Sequence, residues 1–309
     1  MFDPTIITQK FGDVPPEVKS LILSNHNTDE AIRKDPSSIN VETSGCCVAA
    51  SIQFNMAHKQ PAEFARWANE LSSPANEVKQ TIRLDSLSKN FLDAMWLLDA
   101  FKLKTSDMDF NFANLKLAPD KDAVTRAMIQ DNYQDPGERS VIDVLFQSTI
   151  MNTGSQKTYN SLTDIKEGAF GGDPQGLIEF EKTFVESIIR NKEKLSIIYQ
   201  DIDDNQVLRG YKCGFDRIEK HIRDTLAIGE NVIVGYIYTD ENNKIAGGHE
   251  ITIVDVKTDN KGKTVFVCND TDDGENKLIE YTADYLLPKI HHAGYPAKIV
   301  EHETDLIYS

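Results

Sequence analysis

Apolar residues recur at helical spacing in three blocks of this chain. Leu87, Phe91, Met95 and Leu98 fall at i, i+4, i+8 and i+11. Leu177, Phe180, Phe184 and Ile188 fall at i, i+3, i+7 and i+11, and Phe215, Ile218, Ile222 and Leu226 repeat the theme before Gly229, placed where a helix stops. Each stripe lays one side of a helix on a core, so the segment from about Cys47 to Gly229 is predicted to be mostly helical. From Asn231 the period changes to two: Val232, Val234, Tyr236 and Tyr238 alternate with Ile233, Gly235 and Ile237. Turn residues at Glu241–Lys244 and at Asp259–Gly262 flank predicted strands at His249–Val256 and Thr264–Cys268, and Leu278–Tyr281 and Ala297–Val300 are predicted to add two more.

The remaining segments lack either period. Residues 1–43 carry Pro4, Pro15, Pro16 and Pro36 and read as an irregular arm with one short helix near Glu17–Ser24. Asn152–Gly176, rich in Gly, Ser, Asp and Thr, reads as a long loop or lid. The expected fold class is therefore α+β. An arm over 1–43 precedes a helical subdomain over 44–229, and an antiparallel β subdomain over 230–309 forms a sheet or half-barrel.

Composition narrows the function classes. The 309 residues suit one large or two small domains, and 40% apolar with 27% charged residues is ordinary for a globular chain. A formal charge of −16 argues against nucleic acid or an anionic membrane as the main partner, since both need a basic surface. No apolar run is long enough to span a bilayer, so no membrane association is expected. The segment Met1-Phe2-Asp3-Pro4 lacks the basic and apolar parts of a Sec signal. Four cysteines without metal-finger spacing, two of them adjacent, read as reduced thiols. The expected setting is the cytoplasm, or export by a route that uses no Sec signal, with no metal or cofactor. The acidic stretch from Asn269 to Glu275 has its glycine in the wrong place for a twelve-residue calcium loop and reads as a solvated hairpin turn, and Asp201–Asp204 as a solvated loop.

Two short segments carry the candidate chemistry. Ser44-Gly45-Cys46-Cys47-Val48-Ala49-Ala50-Ser51 runs from a turn into an apolar helix, which puts a cysteine at a helix N-terminus. The unpaired N–H groups there act as a partial positive charge, and a nearby imidazolium adds to it, so a thiolate nucleophile is favoured at such a tip. Cys47 is the first candidate and Cys46 the second. The other segment is Gly247-Gly248-His249-Glu250-Ile251-Thr252-Ile253, followed by Cys268-Asn269-Asp270. His249 opens a strand, and the next strand of a hairpin returns Asn269 or Asp270 to its level. Either side chain would accept a hydrogen bond from the ring and fix its tautomer. His291-His292, before Ala293-Gly294, are further candidates to line a cleft, and Cys213 and Cys268 read as packed side chains.

The nucleophile segment resembles the papain-type Cys-Gly-Ser-Cys-Trp-Ala-Phe-Ser at Gly45, Cys47, Ala49 and Ser51. It is also similar to the papain-fold peptidases that trim double-glycine leaders, through Cys47, Ala50, Ser51, Ile52 and Phe54. Gly248-His249-Glu250-Ile251-Thr252-Ile253 resembles the Gly-His-x-Val-x-Val segment of both groups. The papain-like cysteine peptidase superfamily thereby implies a helical half packed on a β half, Cys47 as nucleophile, His249 as base, and a protein or peptide substrate. The papain-type pattern would make Asn269 the orienting residue, and the leader-peptidase pattern Asp270. The chain departs from the pattern twice. Cys47 and His249 lie 202 residues apart, which implies an insertion of about 50–70 residues relative to papain-type enzymes. Both groups also carry an oxyanion-binding glutamine six residues before the cysteine, where this chain has Val41, with Asn40, Thr43 and Ser44 nearby. The same scaffold would serve glutamine deamidation or transglutamination, or, without activity, an interaction module.

Overall fold

The computed structural model describes residues 45–127, 139–167, 174–271 and 277–307. The expected arm over 1–43, with its helix near Glu17–Ser24, lies outside them, as do Asn40, Val41, Thr43 and Ser44. The described residues form two compact units, one within 1–192 and 271–276, the other within 193–270 and 277–309. Helices and antiparallel sheets are both present, so the class is α+β.

In the first unit α1 (Cys47–Lys59), α2 (Pro61–Leu71), α4 (Val141–Gly154) and α5 (Glu179–Arg190) pack on one another. Every residue of α4 is buried, as expected of a helix surrounded by others. Phe146 of α4 stacks on Phe64 of α2 at 4.7 Å between ring centres. The start of α4 is fixed by Ser140, whose Oγ accepts from Asp143 N while Asp143 Oδ2 accepts from Ser140 N, both at 3.1 Å. The predicted stripe at Leu87 is shortened: α3 (Phe91–Ala100) starts only at Phe91, because Asn90 Oδ1 caps it by accepting from Leu92 N at 3.0 Å.

The helical reading of this region is incomplete. It contains a three-stranded sheet of β1 (Val78–Arg83), β2 (Thr105–Met108) and β3 (Phe112–Leu117), with β3 central. Val78, Gln80 and Ile82 face the core and alternate with exposed Lys79, Thr81 and Arg83. The predicted loop over Asn152–Gly176 begins later, since α4 runs to Gly154. Its described part is pinned to α5 by a fully buried pair, Lys166 Nζ and Glu181 Oε2 at 3.1 Å.

The second unit begins at Glu193, ahead of the change of period at 231. Its β4 (Lys194–Ile198) joins the main sheet, and β5 (Gln200–Ile202) pairs with β6 (Leu208–Tyr211). The main sheet also takes β7 (Val232–Thr239), β8 (Ile245–Thr258), β9 (Thr264–Asn269), β10 (Leu278–Thr282) and β11 (Ile290–Pro296). Its order is β10-β9-β8-β7-β11-β4, antiparallel throughout, with β10 and β4 outermost and the outer side of β4 bridged at Ile197 to Ile307. Ile218 and Ile222 of α6 (Phe215–Ala227) belong to one core with Val232, Val234, Ile251, Ile253 and Phe266. Gly229 follows α6 with φ +81, the left-handed conformation that suits glycine after a helix. The β8–β9 turn is fastened by Asp259, whose Oδ1 accepts from Lys261 N and Lys263 N at 2.8 Å.

Ala297–Val300 is a correction. Its β-rich composition predicts a strand, but it forms one helical turn after Pro296, and the strand lies just before it in β11. Among the described residues no helix is long and apolar enough to cross a membrane.

Candidate active site

Cys47 is the first residue of α1, and Cys46 is its N-cap. The first intrahelical bond runs from Ala50 N to Cys46 O at 2.8 Å, so the N–H groups of Cys47, Val48 and Ala49 precede the helical ladder. No acidic residue stands in the first turn to offset their partial positive charge. Cys47 is half-buried, whereas Cys46 is 0% exposed. Burial removes Cys46 as a nucleophile that meets substrate in this conformation. None of the four cysteines forms a disulfide. Cys268 is buried in the sheet core and Cys213 is half-buried; burial pushes both thiols up, most strongly Cys268, which makes them poor nucleophiles.

Gly45 explains why the turn before Cys47 carries no side chain. A Cβ there would lie 2.5 Å from Gln175 Cβ and 2.9 Å from the Gln175 carbonyl carbon. The segment ahead of α5 therefore crosses directly over the turn that leads into α1.

In the second unit His249 sits on β8 opposite Tyr236 of β7. Its ring meets the Tyr236 ring edge-on, 5.7 Å between centres. His249 Nε2 and Asp270 Oδ1 are 2.7 Å apart. The second carboxylate oxygen of Asp270 accepts from the Tyr281 hydroxyl at 3.3 Å. Tyr281 stacks on Tyr285, and Lys289 Nζ lies 3.4 Å from the centre of the Tyr285 ring and 5.6 Å from that of Tyr238. The imidazole thus has a carboxylate on Nε2 and an aromatic wall beside it. A carboxylate accepting from Nε2–H fixes the tautomer in which Nδ1 is the basic nitrogen.

Asn269 points the other way. It is 1% exposed, its partner across the strands is Thr252, and its Oδ1 has no hydrogen-bond partner among the described residues. Of the two candidates that sequence leaves open, the geometry joins Asp270 to His249 and leaves Asn269 apart from it. Of the expected hairpin turn after Asn269, residues 272–276 lie outside the described residues.

His292 belongs to a second imidazole–carboxylate pair. Its Nε2 lies 2.5 Å from Glu250 Oε1, and both side chains are buried. Glu250 follows His249 in sequence and so faces the opposite side of the sheet. Gly235 stands between Glu250 and His292 in register and leaves room for the pair. A third pair, His221 Nε2 and Glu303 Oε1 at 3.0 Å, is buried with Tyr199 and Tyr295. Sequence reading missed Tyr236, Tyr281 and Glu250. The two-residue alternation around Gly235 and His249 marks Tyr236 and Glu250 as occupants of opposite faces, but their partners come from distant strands.

No model of a known protein family matches the chain, and no curated protein matches it. The functional reading therefore rests on residues and geometry.

Proposed function

We propose that this protein is a papain-like cysteine hydrolase that cleaves a peptide or isopeptide bond, with Cys47 as nucleophile, His249 as general base and acid, and Asp270 as the residue that orients His249. The observation that carries the reading is the 2.7 Å contact between His249 Nε2 and Asp270 Oδ1. It makes Nδ1 the basic nitrogen of His249, the atom that would take the proton of a thiol. The half-buried Cys47 at an uncapped helix tip supports the same reading.

In the reaction His249 takes the thiol proton and the Cys47 sulfur attacks the substrate carbonyl carbon. Negative charge gathers on the carbonyl oxygen, which the backbone N–H groups at Cys47 are suited to stabilise. The tetrahedral species collapses as His249 gives its proton to the leaving amine, and an acyl-thioester remains on Cys47. Water, deprotonated by His249, then releases the acid and restores the thiol. Asp270 holds the ring and offsets the charge of the imidazolium at each stage. The substrate is a protein or peptide, and no step calls for a cofactor or metal. The four cysteines without a disulfide suit a reducing, cytoplasmic setting.

The test uses iodoacetamide, with each thiol followed by peptide mass spectrometry, and a library of peptide substrates. Cys47 reacts faster than a model thiol at neutral pH, and Cys47→Ala abolishes turnover while preserving the circular dichroism spectrum. Undiminished turnover in Cys47→Ala ends the proposal. Ammonia release from glutamine peptides without chain cleavage would reassign the same residues to deamidation.

A further inference from the structure

Beneath the tip of α1 runs a buried polar network for which the proposed chemistry has no use. Cys46 Sγ lies 3.1 Å from Tyr159 Oη and 3.9 Å from Asp164 Oδ1. Tyr159 donates its own proton to Asp164 Oδ1 at 2.6 Å, so in the Cys46–Tyr159 contact the thiol is the donor and the phenol oxygen the acceptor. Asp164 also faces Arg126 at 3.3 Å and Arg139 at 3.7 Å. From Arg139 the network continues. Arg139 Nη1 donates to Gln147 Oε1 at 3.3 Å, Gln147 Nε2 to Gln53 Oε1 at 3.3 Å, and Gln53 Nε2 to Asp143 Oδ1 at 2.8 Å. It therefore touches α1 twice, at its N-cap and at Gln53, and it ends at the start of α4.

Two details separate this network from ordinary packing. First, an N-cap residue usually holds its own helix start with a side-chain oxygen. Cys46 makes no such capping bond, because its side chain is turned into the network. Second, Asp164 closes a turn with φ +52, a left-handed conformation that aspartate enters more readily than most non-glycine residues. That turn places the Asp164 carboxylate within hydrogen-bond reach of Tyr159. Burial opposes the charge of Arg139, and nearby Cys46, Tyr159 and Asp164 outweigh it, which keeps the guanidinium charged. The torsion angles of Cys46 determine where the next residue points, and the network holds those angles.

We propose that Tyr159 and Asp164 are positioning residues which, through Cys46, fix the direction in which the Cys47 thiol leaves the helix tip. The adjacent cysteines then have distinct duties, Cys46 as anchor and Cys47 as nucleophile. This inference rests on the proposed role of Cys47.

The experiment measures the alkylation rates of Cys46 and Cys47 separately, as functions of pH, in the full chain. In the parent, Cys47 reacts fast and Cys46 is protected. In Tyr159→Phe and Asp164→Asn the Cys47 rate at neutral pH falls about tenfold or more and its pH profile moves upward, since small misplacement of a reacting group is costly. Cys46 becomes reactive at the same time, and kcat falls with little change in KM. Thr225→Ala, which removes a buried bond from Thr225 Oγ1 to the His221 carbonyl within α6 of the second unit, leaves the Cys47 profile unmoved. Should either loop variant fail to fold, Cys46→Ser, which keeps a donor to Tyr159, retains the parent profile, and Cys46→Ala does not. A parent-like profile in folded Tyr159→Phe or in Cys46→Ala overturns the positioning role alone. A parent Cys47 no faster than a model thiol overturns both the nucleophile and its positioning.

Discussion

Gly235 offers the sharpest test of the second unit. It lies in β7 with Glu250 of β8 on one side and His292 of β11 on the other. A Cβ at this position would lie 2.1 Å from His292 Cε1 and 2.5 Å from Glu250 Oε1, well inside van der Waals contact. In Gly235→Ala either the His292–Glu250 pair opens or the strands shift. Forcing a methyl into packed surroundings costs about 1–3 kcal/mol. Losing a buried hydrogen bond to a charged group costs about 1.5–3 kcal/mol. Together the substitution destabilises by about 2.5–6 kcal/mol, a drop in Tm of about 5–20 °C for a chain of this size. Thermal and urea unfolding followed by circular dichroism measure it. Gly247→Ala is the control, because nothing lies within 4 Å of its added Cβ. The pair also predicts non-additivity: with His292→Ala in the background, Gly235→Ala costs much less, since the obstructing ring is gone. A Gly235→Ala variant within about 0.5 kcal/mol of the parent, the range of an ordinary surface change, would refute the reasoning.

Three other predictions follow from single contacts. Asp270→Ala, which removes the acceptor of His249 Nε2, lowers Cys47-dependent turnover by about 10²-fold or more, while Asn269→Ala, on the opposite face, leaves it close to the parent; equal losses in the two variants would contradict the assignment. Burial raises the Asp143 carboxyl from 3.8 to about 6. Its contribution to stability is therefore complete below pH 4 and is lost as pH rises through about 6, on the order of 3 kcal/mol. Asp143→Asn flattens this part of the stability–pH curve in urea titrations at stepped pH, and an unchanged slope would count against it. Gly45→Ala pushes the Gln175 segment off the turn before α1 at a cost of about 1–3 kcal/mol and alters the alkylation rate of Cys47; a variant with parent stability and parent alkylation would show that the crossing is not required.

How much of this was legible in the sequence follows from the range of the forces involved. The stripe Phe215–Leu226 with its terminal Gly229, and the hairpin turn at Asp259–Gly262, are set by neighbours within a few residues, and both stand where the pattern puts them. β1 to β3 are only four to six residues long, too short for their alternation to stand out among helical segments. β11 lies between β7 and β4, is almost wholly buried, and contains Gly294 and Pro296, so it has no polar face to reveal its period. In Ala297–Val300 the isoleucine and valine suggest a strand, but one turn after a proline is too short for propensity to decide. The choice between Asn269 and Asp270 was out of reach for another reason. The register between β8 and β9 shifts between Ile253 and Asp255, and a one-residue shift exchanges the faces of a strand. Tyr159 and Asp164 were hidden because they lie more than a hundred residues from Cys46 in a segment without period.

The adjacent pairs share one logic. In Cys46-Cys47, His249-Glu250 and Asn269-Asp270, one member is a residue of the proposed chemistry and the other is buried away from it. Cys46 bonds to Tyr159, Glu250 bonds to His292, and Asn269 lies in the sheet opposite Thr252. In a strand this division follows from the pleat, which sends consecutive side chains to opposite faces. At the helix start it follows from the non-helical torsions of Cys46, φ −97 and ψ 14, which send its side chain inward. The physical consequence is the same in each case. A side chain that must meet a substrate is partly exposed and cannot be held by dense packing of its own atoms. Its direction is set by its backbone, and the backbone is held by the neighbour that packs inward. Substitutions at the inward residues should therefore change how accurately Cys47, His249 and Asp270 are aimed, while substitutions at those three should remove the chemistry itself.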